Sequence, residues 1–213
     1  MSKQCNSSTK GDVGSVSPQD GFIARRFVAP IPPGFVASNV EIETERGHIP
    51  LNALTCGDMI FDHSGARVAI KSVALSQVQV SSSRFGPVAL RISDSVLILS
   101  GTTLVRVQAD LFHDFFGSSS ALVPAGSLLE SGLAEAAPSG KWDLIKMTPD
   151  HPSLVTLGGC QIEAGFDGED VFGANDAGTA DGTLKFDGVT VIPETAASEI
   201  LDRAKETSGI WFA

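Results

Sequence analysis

Asp150 and His151 stand side by side in "TPDHPSLV", between Pro149 and Pro152. A carboxylate beside an imidazole can orient the ring and raise its pKa, as a general base requires. Two such residues alone make no catalyst, and the flanking prolines suit a histidine that ties a tight turn to a sheet. The three cysteines, Cys5, Cys56 and Cys160, have no C-x-x-C spacing, so they form neither a zinc knuckle nor a redox motif. An odd count leaves at least one unpaired, and all three read as buried or incidental thiols. Cys160 is flanked by Gly158, Gly159 and Gln161, with no base or cation nearby in sequence to lower its pKa. His48, His63 and His113 are scattered without metal-ligand spacing and read as surface or turn histidines. The Asp/Gly-rich stretch 167–188 contains no D-x-D-x-D-G loop closed by Glu, so it reads as a polar loop rather than a calcium site. No metal and no cofactor is expected.

These side chains need a scaffold, and the hydrophobic pattern predicts one made of strands. From residue 36 to 107 the runs "NVEIET", "MIFD", "ARVAIKSVALSQVQVSS", "PVALRIS" and "SVLILSGTTLVRVQ" are β-rich and separated by Gly, Ser and Asp turns. Alternation marks half-buried strands in "VQVSSS" and "LVRVQ", while "VLILS" reads as buried on both faces. The Phe112, Phe115 and Phe116 trio has helical spacing and predicts a short helix or apolar loop packed on the core. "ALVPAGSLLESG" predicts a helical turn after Pro124, and "KWDLIKMTPDHPSLVTLGGCQIEAGF" two strands about a turn. Ala197, Ile200, Leu201 and Ala204 predict a helix near 194–206. Residues 1–20 carry few large apolar side chains and should add little stability. Residues 21–35, "GFIARRFVAPIPPGF", are apolar but broken by prolines, and read as an extended arm lying on the domain.

Of 213 residues, 42% are hydrophobic and 19% charged, enough apolar surface for a core in one large domain. The net charge of −10 and only 15 basic residues, of which Arg25-Arg26 is the one close pair, argue against nucleic acid and anionic membranes. No apolar run is long enough to span a membrane, and "MSKQCNSSTKGDVGSVSPQDG" has no apolar core of a signal peptide. The expectation is a soluble chain, cytoplasmic or exported without an N-terminal signal, whose partner is an unidentified protein or small ligand.

The order of blocks carries more information than any one of them. Thr44, Gly47, Pro50-Leu51, Leu54 and Gly57-Asp58 fit an entry of the form T-x-x-G-x-x-x-V-x-x-L-x-x-G-D-x-V. "ALRISDSVLIL", "ALVPAGSLL" and a His-containing closing hairpin follow in sequence. In this order the blocks, over about residues 35–166, resemble the bacterial Hint domain of the Hedgehog/intein type. The turn chemistry agrees: Leu54 should pack inward, Gly57 should permit a sharp turn, and Asp58 should bond the turn's own amides.

The resemblance implies an all-β, compact antiparallel fold over 36–166 with a short C-terminal helix, the Asp/Gly loop and helix occupying 167–213. It also implies a site. A working member opens with Cys or Ser, which attacks the preceding carbonyl in an N-to-S or N-to-O acyl shift, and a Thr/Ser-x-x-His block polarises the scissile amide. Counting back from Arg46-Gly47, the nucleophile's position falls on Phe35. In "SDSVLIL" Ser93 takes the Ser/Thr position and Val96 the histidine's; His151 matches a histidine of the closing hairpin. No Asn closes the hairpin for cyclisation. The implied function is a degenerate Hint-like module with no self-processing activity, in which Phe35 and Val96 approach each other as an apolar pair. Two alternatives stand beside it: an active autoprocessing domain using Ser38 or Cys56 with His151 as helper, and an unrelated β-rich ligand-binding module.

Overall fold

The computed structural model describes residues 33–80, 86–93, 95–165 and 185–213. The tail, most of the arm, Asp94, Cys5 and residues 167–184 of the Asp/Gly loop lie outside them. The chain is built from β1 (Phe35–Ala37), β2 (Glu41–Thr44), β3 (Gly47–Pro50), β4 (Met59–Phe61), β5 (Arg67–Val80), β6 (Val88–Ile92), β7 (Ser95–Leu99) and β8 (Leu104–Gln108). Then come α1 (Leu111–Phe116), β9 (Ser120–Pro124), α2 (Ala125–Glu130), β10 (Glu135–Ala136), β11 (Gly140–Pro149), β12 (Ser153–Leu157) and β13 (Cys160–Ala164). The chain closes with β14 (Lys185–Phe186), β15 (Val189–Val191), α3 (Glu194–Thr207) and β16 (Trp211–Phe212). This is an all-β architecture with short helices, as the strand-and-turn pattern predicts. No helix among the described residues is long and apolar enough to cross a membrane.

Two sheets form. The first runs β10-β6-β7-β1-β11-β5-β4-β2-β3, with every described pairing antiparallel. The second runs β12-β13-β8-β9-β15-β14, with β16 added to β8. Its β15–β9 pair is parallel. Strand alternation explains the interior: Val105 and Val107, Ala121 and Val123, and Ile162 and Ala164 point inward, to pack with Ile42, Ile60, Leu97 and Leu99 of the first sheet. Helix α3 closes this core with Ala197, Leu201 and Ala204 and packs on α2. The segment after residue 184 therefore adds strands to the second sheet and side chains to the main core. Parallel pairing to a strand 69 positions earlier has no local sequence signal.

The "LTCGD" turn behaves as its residues require. Leu54 is buried, Gly57 holds φ at 90°, and Asp58 Oδ2 accepts from the Thr55 N–H at 2.8 Å and the Thr55 hydroxyl at 2.9 Å. Burial is the largest single influence on Asp58 and raises its pKa, but those two donors and the Arg46 guanidinium, 2.8 Å away, together outweigh it and bring the pKa below the usual value. The aromatic trio divides. Phe112 is fully buried, whereas Phe115 is 49% exposed, because α1 is a single short helix with only one face on the core.

Candidate functional site

Strand β1 is only three residues long, yet it sits in the middle of the first sheet, between β7 and β11. Phe35 pairs with Lys146, and Val36 with both Ile145 and Leu99. The entry to this strand is tightly held. Gly34 is buried with φ of 80°, a left-handed conformation that suits glycine, and a Cβ there would lie 3.6 Å from Lys146 Cε. Its N–H donates to Thr103 Oγ1 at 3.0 Å, and the Ser100 N–H donates to the Phe35 carbonyl at 2.8 Å. One hydrogen bond lies on each side of the 34–35 peptide bond.

The loop that makes both bonds, Ser100-Gly101-Thr102-Thr103, is itself fixed to the start of α2. The Gly126 N–H donates to Gly101 O at 2.7 Å and the Ala125 N–H to Thr103 O at 2.9 Å. A Cβ on Gly126 would come within 3.2 Å of Gly101 O, so the two backbones pass too closely for a side chain there without adjustment.

The sequence expectation of a Phe35–Val96 pair does not survive this register. Antiparallel pairing of Val36 with Leu99 puts Phe35 beside Ser100, and runs Val96 toward Asn39 at the other end of the strand. Ser93 has φ of 50° in the β6–β7 hairpin turn, where Ile92 pairs with Ser95. Val96 is 48% exposed, so it fills no pocket beside Phe35. The physical reason is a register slip. "SDSVLILSGTT" contains Ser-x-x-X segments starting at Ser93, Ser95 and Ser100, and the last, Ser100 to Thr103, is the one that reaches the head of β1.

The other expected residues lie apart. His151 is exposed at the β11–β12 turn, its Nδ1 2.8 Å from Asp150 Oδ1, with both side chains more than half exposed. Ser38 follows β1 in a turn, where its N–H donates to Asp143 O at 2.9 Å. Cys56 is exposed and disulfide-bonded, its partner lying outside the described residues, which corrects the expectation of an incidental thiol and leaves no nucleophile there. Cys160 is a free, fully buried thiol whose pKa burial pushes up to about 12, so it stays protonated. His48 and His113 are exposed; His63 Nδ1 lies 3.2 Å from Asp187 Oδ2.

One charged residue near this corner carries no expectation from sequence. Glu163 on β13 is 1% exposed. Its Oε1 accepts a long hydrogen bond from the Leu104 N–H, 3.4 Å, and its Oε2 has no partner among the described residues. Burial pushes its pKa up to about 8, against opposing pulls from that N–H and the Lys146 charge. The signal is faint: Glu163 alternates with inward-facing Ile162 and Ala164, which by itself predicts solvent.

Phenylalanine offers no lone pair to attack a carbonyl. Thr103 accepts a hydrogen bond from Gly34 and has no proton that titrates near neutral pH to give to a departing amide nitrogen.

The sequence matches no protein-family model, and no curated protein is similar to it. Among solved structures the chain is similar to inteins. Two crystal structures of the MchDnaB-1 intein align with TM-scores of 0.40 and 0.38 at 12% and 11% identity. The Msm DnaB1 intein splicing domain bound with zinc aligns with a TM-score of 0.38 at 10% identity. Each alignment covers 61% of this chain and 98% of the intein.

Proposed function

We propose that this chain is a Hint-like domain that has kept the clamp on the peptide before its first strand and lost the chemistry, so that it serves as a non-catalytic structural or binding module. The observation that carries the reading is the pair of hydrogen bonds about the 34–35 peptide, from Gly34 to Thr103 and from Ser100 to Phe35. A self-processing domain needs a nucleophile at the first position and an imidazole three residues after a Ser or Thr. By register, those positions are Phe35 and Thr103, with Ser100 as the hydroxyl residue. The block order from Thr44 to His151 supports the same assignment.

In this reading Phe35 replaces the nucleophile, and it packs, partly buried, against the cluster of Ala37, Ala89, Ile98, Ala137 and Leu144. Thr103 replaces the proton donor by a hydroxyl that accepts. His151 has no reacting group to serve. The test is the intact mass of the purified chain, incubated with hydroxylamine or with a thiol. The reading predicts a single unchanged mass, and cleavage anywhere from 34 to 38 overturns it.

A further inference from the structure

Strand β1 leaves a gap in the first sheet. Its register with β7 would set residue 39 opposite Val96 if the strand continued. It stops at Ala37 instead: the Val40 N–H turns back to the Ala37 carbonyl at 3.2 Å, and Glu41 begins β2. On β7 the Ser100 N–H reaches toward β1, donating to the Phe35 carbonyl at 2.8 Å. Backbone groups two residues apart point the same way along a strand edge, so those of Ile98 and Val96 follow Ser100. Ile98 lies opposite Ala37. The Val96 N–H and carbonyl face the gap, with no backbone partner there among the described residues. A cleft of about 520 Å³ opens beside this edge, between β7 and the β2–β3 hairpin. Glu41 and Glu43 line it from β2, on either side of the buried Ile42, and Asp62 lines it just after β4. His48, opposite Glu43, is the one other titratable group in its lining. Asn39 and Val96 also border a second groove of about 340 Å³ toward Trp142, so the cleft is open at that end.

We propose that this cleft takes an extended basic segment of a partner protein, added to the free edge of β7 at Val96 as a short strand. Three observations select that occupant. The first is the edge itself: an unpaired N–H and carbonyl on a strand are a template for another extended backbone. The second is charge. No Lys or Arg lines the cleft, and neither Glu41 nor Glu43 is ion-paired among the described residues. The chain's net charge of −10 adds a field that draws cations in. The third is spacing. Alternate side chains of an extended segment fall about 7 Å apart, the same repeat that separates Glu41 from Glu43. Lys or Arg at every second position therefore matches both carboxylates. The residues between them can be apolar and cover the Val96 side chain, which is 48% exposed. The cleft lies at the opposite end of β1 from the Gly34–Thr103 clamp, so it stands whatever that corner once did.

The probe is the peptide acetyl-Val-Lys-Val-Lys-Val-amide, titrated at low salt into the isotope-labelled full chain and followed by amide NMR shifts. The shifts should saturate and cluster at residues 39–43 and 95–97. The Val96 amide should exchange about tenfold or more slowly with peptide bound. Glu41→Gln/Glu43→Gln changes two exposed side chains and should weaken binding about threefold to tenfold. Added salt should weaken it as well. The same peptide methylated on its backbone nitrogens keeps its charge but cannot add as a strand, and should neither bind in the cleft nor protect Val96. The proposal is overturned by shifts that fail to saturate at millimolar peptide or that fall elsewhere on the chain. Equal binding of acetyl-Val-Glu-Val-Glu-Val-amide, of the methylated peptide, or by the glutamine variant overturns it too.

Discussion

The Thr55–Asp58 turn and the Gly34–Thr103 corner both use polar groups to hold backbone, across very different distances along the chain. In the turn, Asp58 takes both donors of Thr55, three residues away, at an exposed site. In the corner, the Gly34–Thr103 bond spans 69 residues and the Leu104–Glu163 bond 59, both buried. The turn can form as soon as its own residues meet, and water completes whatever it leaves unpaired. The corner forms only when both sheets have assembled, and a group left half-paired there stays dehydrated. Polar interactions are therefore cheap to lose in the turn and costly in the corner, with Glu163 as an internal exception whose charge opposes folding.

That exception gives the largest expected effect. The folded pKa of Glu163 is raised from 4.5 to about 8, so the folded state holds its proton more tightly than the unfolded state. Stability from this group is fully present below pH 4.5 and is lost as pH rises toward 8. Glu163→Gln should match the wild type in urea unfolding at pH 4 and exceed it by about 2–4 kcal/mol at pH 8 or above. Equal stability at both pH values would mean that Glu163 is compensated by a partner and the comparison is miscast.

Thr103→Val probes the other side of the corner. It keeps the shape and removes the acceptor, leaving the buried Gly34 N–H unpaired, at an expected cost of about 1–3 kcal/mol in urea unfolding. The turn should respond least. Asp58→Ala should cost about 1 kcal/mol at pH 7. Because the Asp58 pKa is lowered in the fold, that difference should vanish as pH falls through its depressed pKa, below 3.8. A larger cost for Asp58→Ala than for Thr103→Val would reverse the ranking of the two regions.

The same distinction decides what was legible in the sequence. Leu54, Gly57 and Asp58 could be assigned from adjacent residues, because the turn's partners are its own neighbours. The strand runs, α2 after Pro124 and α3 at 194–207 followed from periodicity and local propensity. The corner was legible only in part. Phe35 at the head of β1 was reached by counting back from Gly47. The expected Phe35–Val96 approach failed because Ser-x-x-X segments start at Ser93, Ser95 and Ser100, and only the Val36–Leu99 register shows which of them reaches the head of β1. Glu163 and the β15–β9 pairing had no local signal, since each depends on contacts made by segments far apart in sequence.

The most direct measurement compares two repaired chains: Phe35→Cys/Thr103→His and Phe35→Cys/Val96→His. Each supplies a thiol and an imidazole, and they differ only in which residue faces the head of β1. After confirming by circular dichroism that both fold, each is incubated with a thiol and its intact mass recorded. Thiol-dependent cleavage between residues 34 and 35 is predicted for the Thr103→His chain alone. Cleavage of the Val96→His chain, or a folded Thr103→His chain that stays whole, would contradict the assignment of this corner as a Hint-like site.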